Sequence, residues 1–180
     1  MKTWIALLRG INVGGNNLLA MKDLRALLLD LGYHGPQTYI QSGNCVFGSD
    51  DGPAATHEAR IADAINARFG FSPQVFVLTM EALDEAISAN PYRQGCDDPK
   101  TVHLNFLAEP ADEADLERLD ACRKDSEAYT LTRHVFYLYA PDGIGRSKLA
   151  AQAEKALGVA VTGRNLRSAL KIAQLAKARA

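Results

Sequence analysis

The sequence predicts an α+β protein made of two successive βαββαβ halves joined by a helix. Apolar runs of strand length alternate with apolar residues at helical spacing, in the same order on both sides of one break. The break is Asn90-Pro91 and the Gly, Asp and Pro residues that follow it, since proline lacks an amide and restricts its predecessor. The length, 180 residues, suits one compact domain or two small ones. A βαββαβ order is the ferredoxin-like unit. The expectation is therefore a tandem ferredoxin-like chain: residues 1–80, a linker helix and loop over 81–100, and residues 101–180 with a terminal helix. No residue-by-residue repeat relates the halves, so one mixed sheet built from the same elements stays open.

In the first half, Trp4–Leu8 is a continuous apolar run ended by Arg9-Gly10, the pattern of a central strand covered on both faces. Met21, Leu24, Leu27, Leu28 and Leu31 recur at helical spacing, with Gly32 as the stop. Gln37–Gln41 and Cys45–Phe47 read as a hairpin around Ser42-Gly43-Asn44. Asp50-Asp51-Gly52-Pro53 has loop chemistry. Ile61, Ala64, Ile65 and Phe69 mark a second helix ended by Gly70, and Val75–Leu78 is the fourth strand.

Leu83 and Ile87 lie one turn apart on the linker helix. Val102, Leu104 and Phe106 alternate with His103 and Asn105 as a strand, and Asp112 is the expected cap of a helix bearing Leu116 and Leu119. Glu127–Leu131 and Val135–Tyr139 follow as strands. Leu149, Ala153, Ala156 and Leu157 line a helix ended by Gly158; Val159–Val161 reads as a short edge strand, and Leu166, Ala169, Leu170 and Ala173 line the last helix.

Composition narrows the class. Hydrophobic residues are 47% and charged residues 23% of the chain, so disordered, collagen-like and coiled-coil readings lose. Twenty basic against 21 acidic residues leave net charge -1, which argues against a surface that grips nucleic acid throughout. Cys45, Cys96 and Cys122 form no Cys-x-x-Cys pair, disfavouring disulfides or structural zinc and suggesting the reducing cytoplasm. Arg9 cuts the N-terminal apolar run below the ~7–15 residues of a signal-peptide core. No run reaches the ~20 residues of a membrane span.

Three segments carry candidate chemistry. Arg9-Gly10-Ile11-Asn12-Val13-Gly14-Gly15-Asn16-Asn17 lies between strand and helix, where backbone amides can hold an anion, yet it spells no nucleotide-binding loop and lacks a phosphate-loop lysine. A tight crossover of glycines and asparagines is the alternative; Arg9 favours a carboxylate or phosphate site. Gln41, Ser42 and Asn44 set amides and a hydroxyl at one turn, where they can orient a ligand or simply form a hairpin. Ser42 lacks a nucleophile elbow. Gly143-Ile144-Gly145-Arg146-Ser147-Lys148 places two glycines and two cations at a helix start. Cations there oppose the helix dipole by ~0.3–1 kcal/mol unless an anion sits among them or salt screens them. Thr162-Gly163-Arg164-Asn165 repeats the theme, with Thr162 or Asn165 as a cap.

The other polar residues read as structure. His34, His57, His103 and His134 have no ligand spacing and are expected at the surface, as are the acid pairs Asp50-Asp51 and Asp97-Asp98. Tyr137, Tyr139 and His103 suggest a sheet face able to stack bases, but an RNP1-type pattern is missing and packing is the simpler account.

Trp4-Ile5-Ala6-Leu7-Leu8-Arg9-Gly10-Ile11-Asn12-Val13-Gly14-Gly15, Thr38-Tyr39-Ile40-Gln41-Ser42-Gly43-Asn44 and Tyr139-Ala140-Pro141-Asp142-Gly143-Ile144-Gly145-Arg146-Ser147-Lys148-Leu149 together resemble the bacterial DUF1697 family. Asn90-Pro91 and Thr162-Gly163-Arg164-Asn165 match its later landmarks. The resemblance implies a cytosolic α+β protein with two ferredoxin-like halves and supplies no activity, cofactor or catalytic residue. Cys45 departs from the aliphatic residue usual there.

The functional expectation is an anionic small molecule, a nucleotide or phosphorylated metabolite, held in a cleft between the halves. Arg9, Asn12, Gly14, Gly15, Gln41, Ser42 and Asn44 would serve from the first half, and Gly143, Gly145, Arg146, Ser147, Lys148, Arg164 and Asn165 from the second. No cofactor, metal or membrane partner is expected. Single-stranded nucleic acid and a ligand-free interaction protein are the competing readings.

Overall fold

A computed structural model of the chain describes residues 1–50 and 52–179. Asp51, one of the loop acids above, lies outside the described residues. The elements of the first half are β1 (Lys2–Arg9), α1 (Met21–Asp30), β2 (His34–Tyr39), β3 (Asn44–Ser49), α2 (Ala54–Phe69) and β4 (Gln74–Thr79). Then come α3 (Met80–Ser88), a 3-10 turn (Arg93–Cys96), β5 (Val102–Leu107), α4 (Leu116–Cys122), β6 (Ala128–Leu131), β7 (Val135–Tyr139), α5 (Lys148–Leu157), β8 (Val161–Asn165) and α6 (Leu166–Lys177). The protein is mixed α+β, with two four-stranded antiparallel sheets ordered β2-β3-β1-β4 and β6-β7-β5-β8. A single mixed sheet is thereby excluded.

Two compact units divide the chain, Met1–Asp84 with Lys171–Ala180, and Glu85–Leu170. In the first, β1 lies between β3 and β4, and Trp4 through Leu8 are all buried. The unbroken apolar run follows from that central place. Trp4, Ala6 and Leu8 pack with Leu24, Leu28, Ile61 and Ile65 of α1 and α2. Gly70 ends α2 in the left-handed conformation, φ 78°. In the second unit, Phe136, Leu138 and Ala140 pack with Leu119, Leu149 and Ala153 of α4 and α5. No described helix is long and apolar enough to cross a membrane.

Three expectations need correction. The cap of α4 is Asp115, whose Oδ1 accepts from Arg118 N at 2.9 Å, rather than Asp112; a cap serves an amide two or three residues on in the first turn, and the helix begins only at Leu116. The last strand is Val161–Asn165 instead of Val159–Val161, because pairing with β5 draws in the segment read as a pre-helix loop. Finally, His57 and His103 are not surface residues. His57 is 0% exposed, with Nδ1 2.9 Å from Tyr33 Oη among the rings of Trp4, Tyr33 and Phe47. His103 is 8% exposed.

Candidate functional site

The loop after β1 is held by its asparagines. Gly10, Asn12, Gly14, Gly15 and Asn17 all have positive φ, a density that only glycine and asparagine tolerate readily. Asn12 Nδ2 donates to Leu19 O and to Gln41 O, both at 2.8 Å, while Asn12 Oδ1 accepts from Leu19 N at 2.8 Å. Asn17 Nδ2 donates to Gly10 O at 3.0 Å. Both amide hydrogens of Asn12 thus bind backbone, and it ties this loop to the β2–β3 turn.

That turn starts at Ile40, exposed and at φ 49°, a costly conformation for a β-branched residue. Leu8 N donates to Gly43 O at 2.8 Å. A Cβ on Gly43 would lie 2.7 Å from Leu8 Cβ, so glycine is obligatory by space as well as by its φ of 75°. Asn44 is buried; its Nδ2 donates to Tyr39 O and to Ser42 Oγ. Gln41 and Ser42 side chains are exposed. Arg9 is half-buried and donates to Gln74 Oε1 at 3.3 Å. Gln74, 65 residues away, carried no local signal of that role.

In the second half the turn after β7 leads to Gly143 at φ 93°, a 3-10 turn over Ile144–Arg146, and α5. Ser147 caps the helix, its Oγ accepting from Ala150 N at 3.0 Å. Arg146 and Lys148 flank this buried serine and are exposed. Gly145 has neither a positive φ nor any atom within 4 Å of an added Cβ. The chain therefore needs no glycine there, a feature invisible without coordinates.

Arg164 and Asn165 belong to β8. Arg164 NH1 donates to Thr162 Oγ1 at 3.0 Å and Gly163 O at 2.8 Å, and burial lowers its pKa to about 10, which leaves it cationic at neutral pH. Asn165 Oδ1 accepts from Ser168 N at 2.9 Å and so caps α6. The suggested base-stacking face is absent: His103 pairs with Leu138 and shares its face, opposite to Tyr137 and Tyr139. Tyr137 is 1% exposed and donates to Ala86 O at 2.8 Å, and Tyr139 stacks on Tyr92.

A family model described as "Protein of unknown function (DUF1697)" matches residues 1–137. The chain belongs to this family. No curated protein matches it. Among solved structures it is similar to the conserved bacterial protein SP0830 from Streptococcus pneumoniae, with TM-score 0.73 and 22% identity over 97% of this chain and 98% of that one. The likeness spans the DUF1697 region and the segment after it, and it concerns the fold.

Proposed function

We propose that this DUF1697 protein binds an anionic small molecule, a nucleotide or other phosphorylated metabolite, and that Gly143–Lys148 is its contact loop. We also infer that each half is a ferredoxin-like unit, because both sheets have the order second-third-first-fourth that a split βαβ pair requires. The observation that carries the ligand proposal is the bare backbone at Gly145, immediately before exposed Arg146 and three residues before exposed Lys148 at the start of α5. A glycine that the fold does not need suits close approach of a ligand, and two cations beside a helix start suit a charge of the opposite sign. Asn12 acts as the brace of the first-half loop, leaving Arg9, Gln41 and Ser42 as its ligand-facing candidates.

Thermal melting against a panel of inorganic phosphate, nucleotides and sugar phosphates tests the proposal. Ligand at 100 times its dissociation constant should stabilise by ~2.7 kcal/mol. Arg146→Ala and Lys148→Ala should each abolish most of that shift, and Gly145→Ala should weaken it while leaving the unliganded melt within ~0.5 kcal/mol. Loss of the shift in Arg9→Ala would assign the first-half loop to the same ligand. An unchanged shift in Arg146→Ala and Lys148→Ala would refute the loop's role, and no shift from the whole panel would refute the ligand class.

A further inference from the structure

Sheet edges are templates for added strands, and proteins usually blunt them. Three of the four edges here carry a backbone group that is already occupied or missing. On β4, Val77 N, which points away from β1, donates to Glu58 Oε1 at 2.8 Å. On β8, Gly163 O accepts from Arg164 at 2.8 Å. On β2, Pro36 has no amide to offer and Gly35 O accepts from Arg179 at 2.6 Å.

The edge strand β6 is different. Thr132 N donates to Val135 O at 2.9 Å, and the register pairs Thr130 with Tyr137 and Ala128 with Tyr139. Antiparallel ladders alternate, so Ala128 and Thr130 bond toward β7 while the N–H and C=O of Tyr129 and Leu131 point away from the sheet. Among the described residues those four groups have no hydrogen-bond partner. Their side chains are half-buried against the α4–α5 layer, with Tyr129 Oη donating to Asp120 of α4 at 2.8 Å. Leu116, one helical turn before Asp120, is 49% exposed.

We propose that β6 pairs with β6 of a second copy of this chain, antiparallel about a two-fold axis at Thr130. Tyr129 of each copy then faces Leu131 of the other, and the four groups left open on each copy form four hydrogen bonds across the axis. The two sheets become one of eight strands. Charge selects this occupant. Exposed Asp125 precedes the strand and exposed Arg133 follows it. Antiparallel self-pairing brings the Arg133 end of each β6 to the Asp125 end of the other, so opposite charges meet at both ends of the paired strands. A parallel partner would oppose like charges.

Sedimentation over a broad concentration range, combined with hydrogen exchange, tests the dimer. The expected result is concentration-dependent dimerisation, at least tenfold weaker in Arg133→Glu and in Asp125→Arg and regained to within about threefold in the double variant. The amides of Tyr129 and Leu131 should become protected as the dimer forms, whereas those of Ala128 and Thr130 are protected throughout. A chain that stays monomeric at all concentrations, a dimer that leaves the Tyr129 and Leu131 amides exchanging freely, or a double variant no better than the single ones would overturn the proposal. Protection of these amides by an unrelated extended peptide without self-association would likewise overturn it and assign the edge to that partner.

Discussion

Gly43 combines two constraints on a single position: a positive φ, and Leu8 and Ile11 side chains where a Cβ would stand. Gly43→Ala should lower stability by ~1–3 kcal/mol, read as a lower denaturant midpoint with unchanged slope. The need for positive φ was legible in the sequence as a turn glycine; the contact with Leu8 was not, since it joins residues 35 apart in the chain.

Histidine is where the sequence misled. Periodicity reports which face a residue takes, but an imidazole's polarity argues for water regardless, and burial of His57 and His103 follows from neighbours the sequence does not identify. Burial holds the pKa of His103 below its ordinary 6.5, against the smaller effect of a hydrogen bond to the Lys100 backbone. As pH falls below 6.5, the unfolded chain takes up a proton that the folded chain refuses. The unfolded state then binds more protons, so stability declines on acidification and is fully present above that pH. His103→Gln should flatten this decline between about pH 7 and about pH 5. A melting midpoint that falls as steeply in the variant as in the native chain would contradict the assignment. Cys45, fully buried with its thiol pushed up to about 12, should resist alkylation until the chain unfolds, while exposed Cys96 reacts at once.

Loops and strands were legible to different depths. Helix ends were readable where a glycine or a short polar side chain marks them, as at Gly70, Gly158 and Asn165, whereas Ser147, read as part of the first turn of α5, is instead its cap. The cap of α4 was missed because Asp112 and Asp115 both satisfy the chemistry and only the backbone path chooses between them. Strand β8 was misplaced because Gly163 and Arg164 look like loop residues, yet Gly163 makes room for the Asn105 side chain across the ladder. The Asn12 brace is tertiary as well: of its three bonds, one reaches the β2–β3 turn. Asn12→Ala should remove ~1–3 kcal/mol of stability and raise hydrogen exchange through residues 40–43 and 10–19 together. If only the second segment loosens, the brace does not couple them.

The C-terminal end of α6 belongs to the first unit although it follows the second in the chain. Lys177 pairs with Asp84 at 2.9 Å, Arg179 holds Gly35 O, and Ile172, Ala173 and Ala176 are buried. Truncation after Leu170 should therefore strip protection from the amides of β2 and β3 and spare those of β5 and β7. Equal loss in both sheets would show that the segment serves the whole chain instead.

Local order along the polypeptide was enough to predict alternating strands and helices and the turns that carry glycine, because periodicity and backbone preference act over a few residues. Which strands are neighbours, that they form two sheets, which histidines are buried, why Gly145 is free of constraint and where an edge stays open all depend on groups brought together from distant positions. Those outcomes come from packing and pairing in three dimensions, where a hydrogen bond or a steric contact is blind to sequence separation.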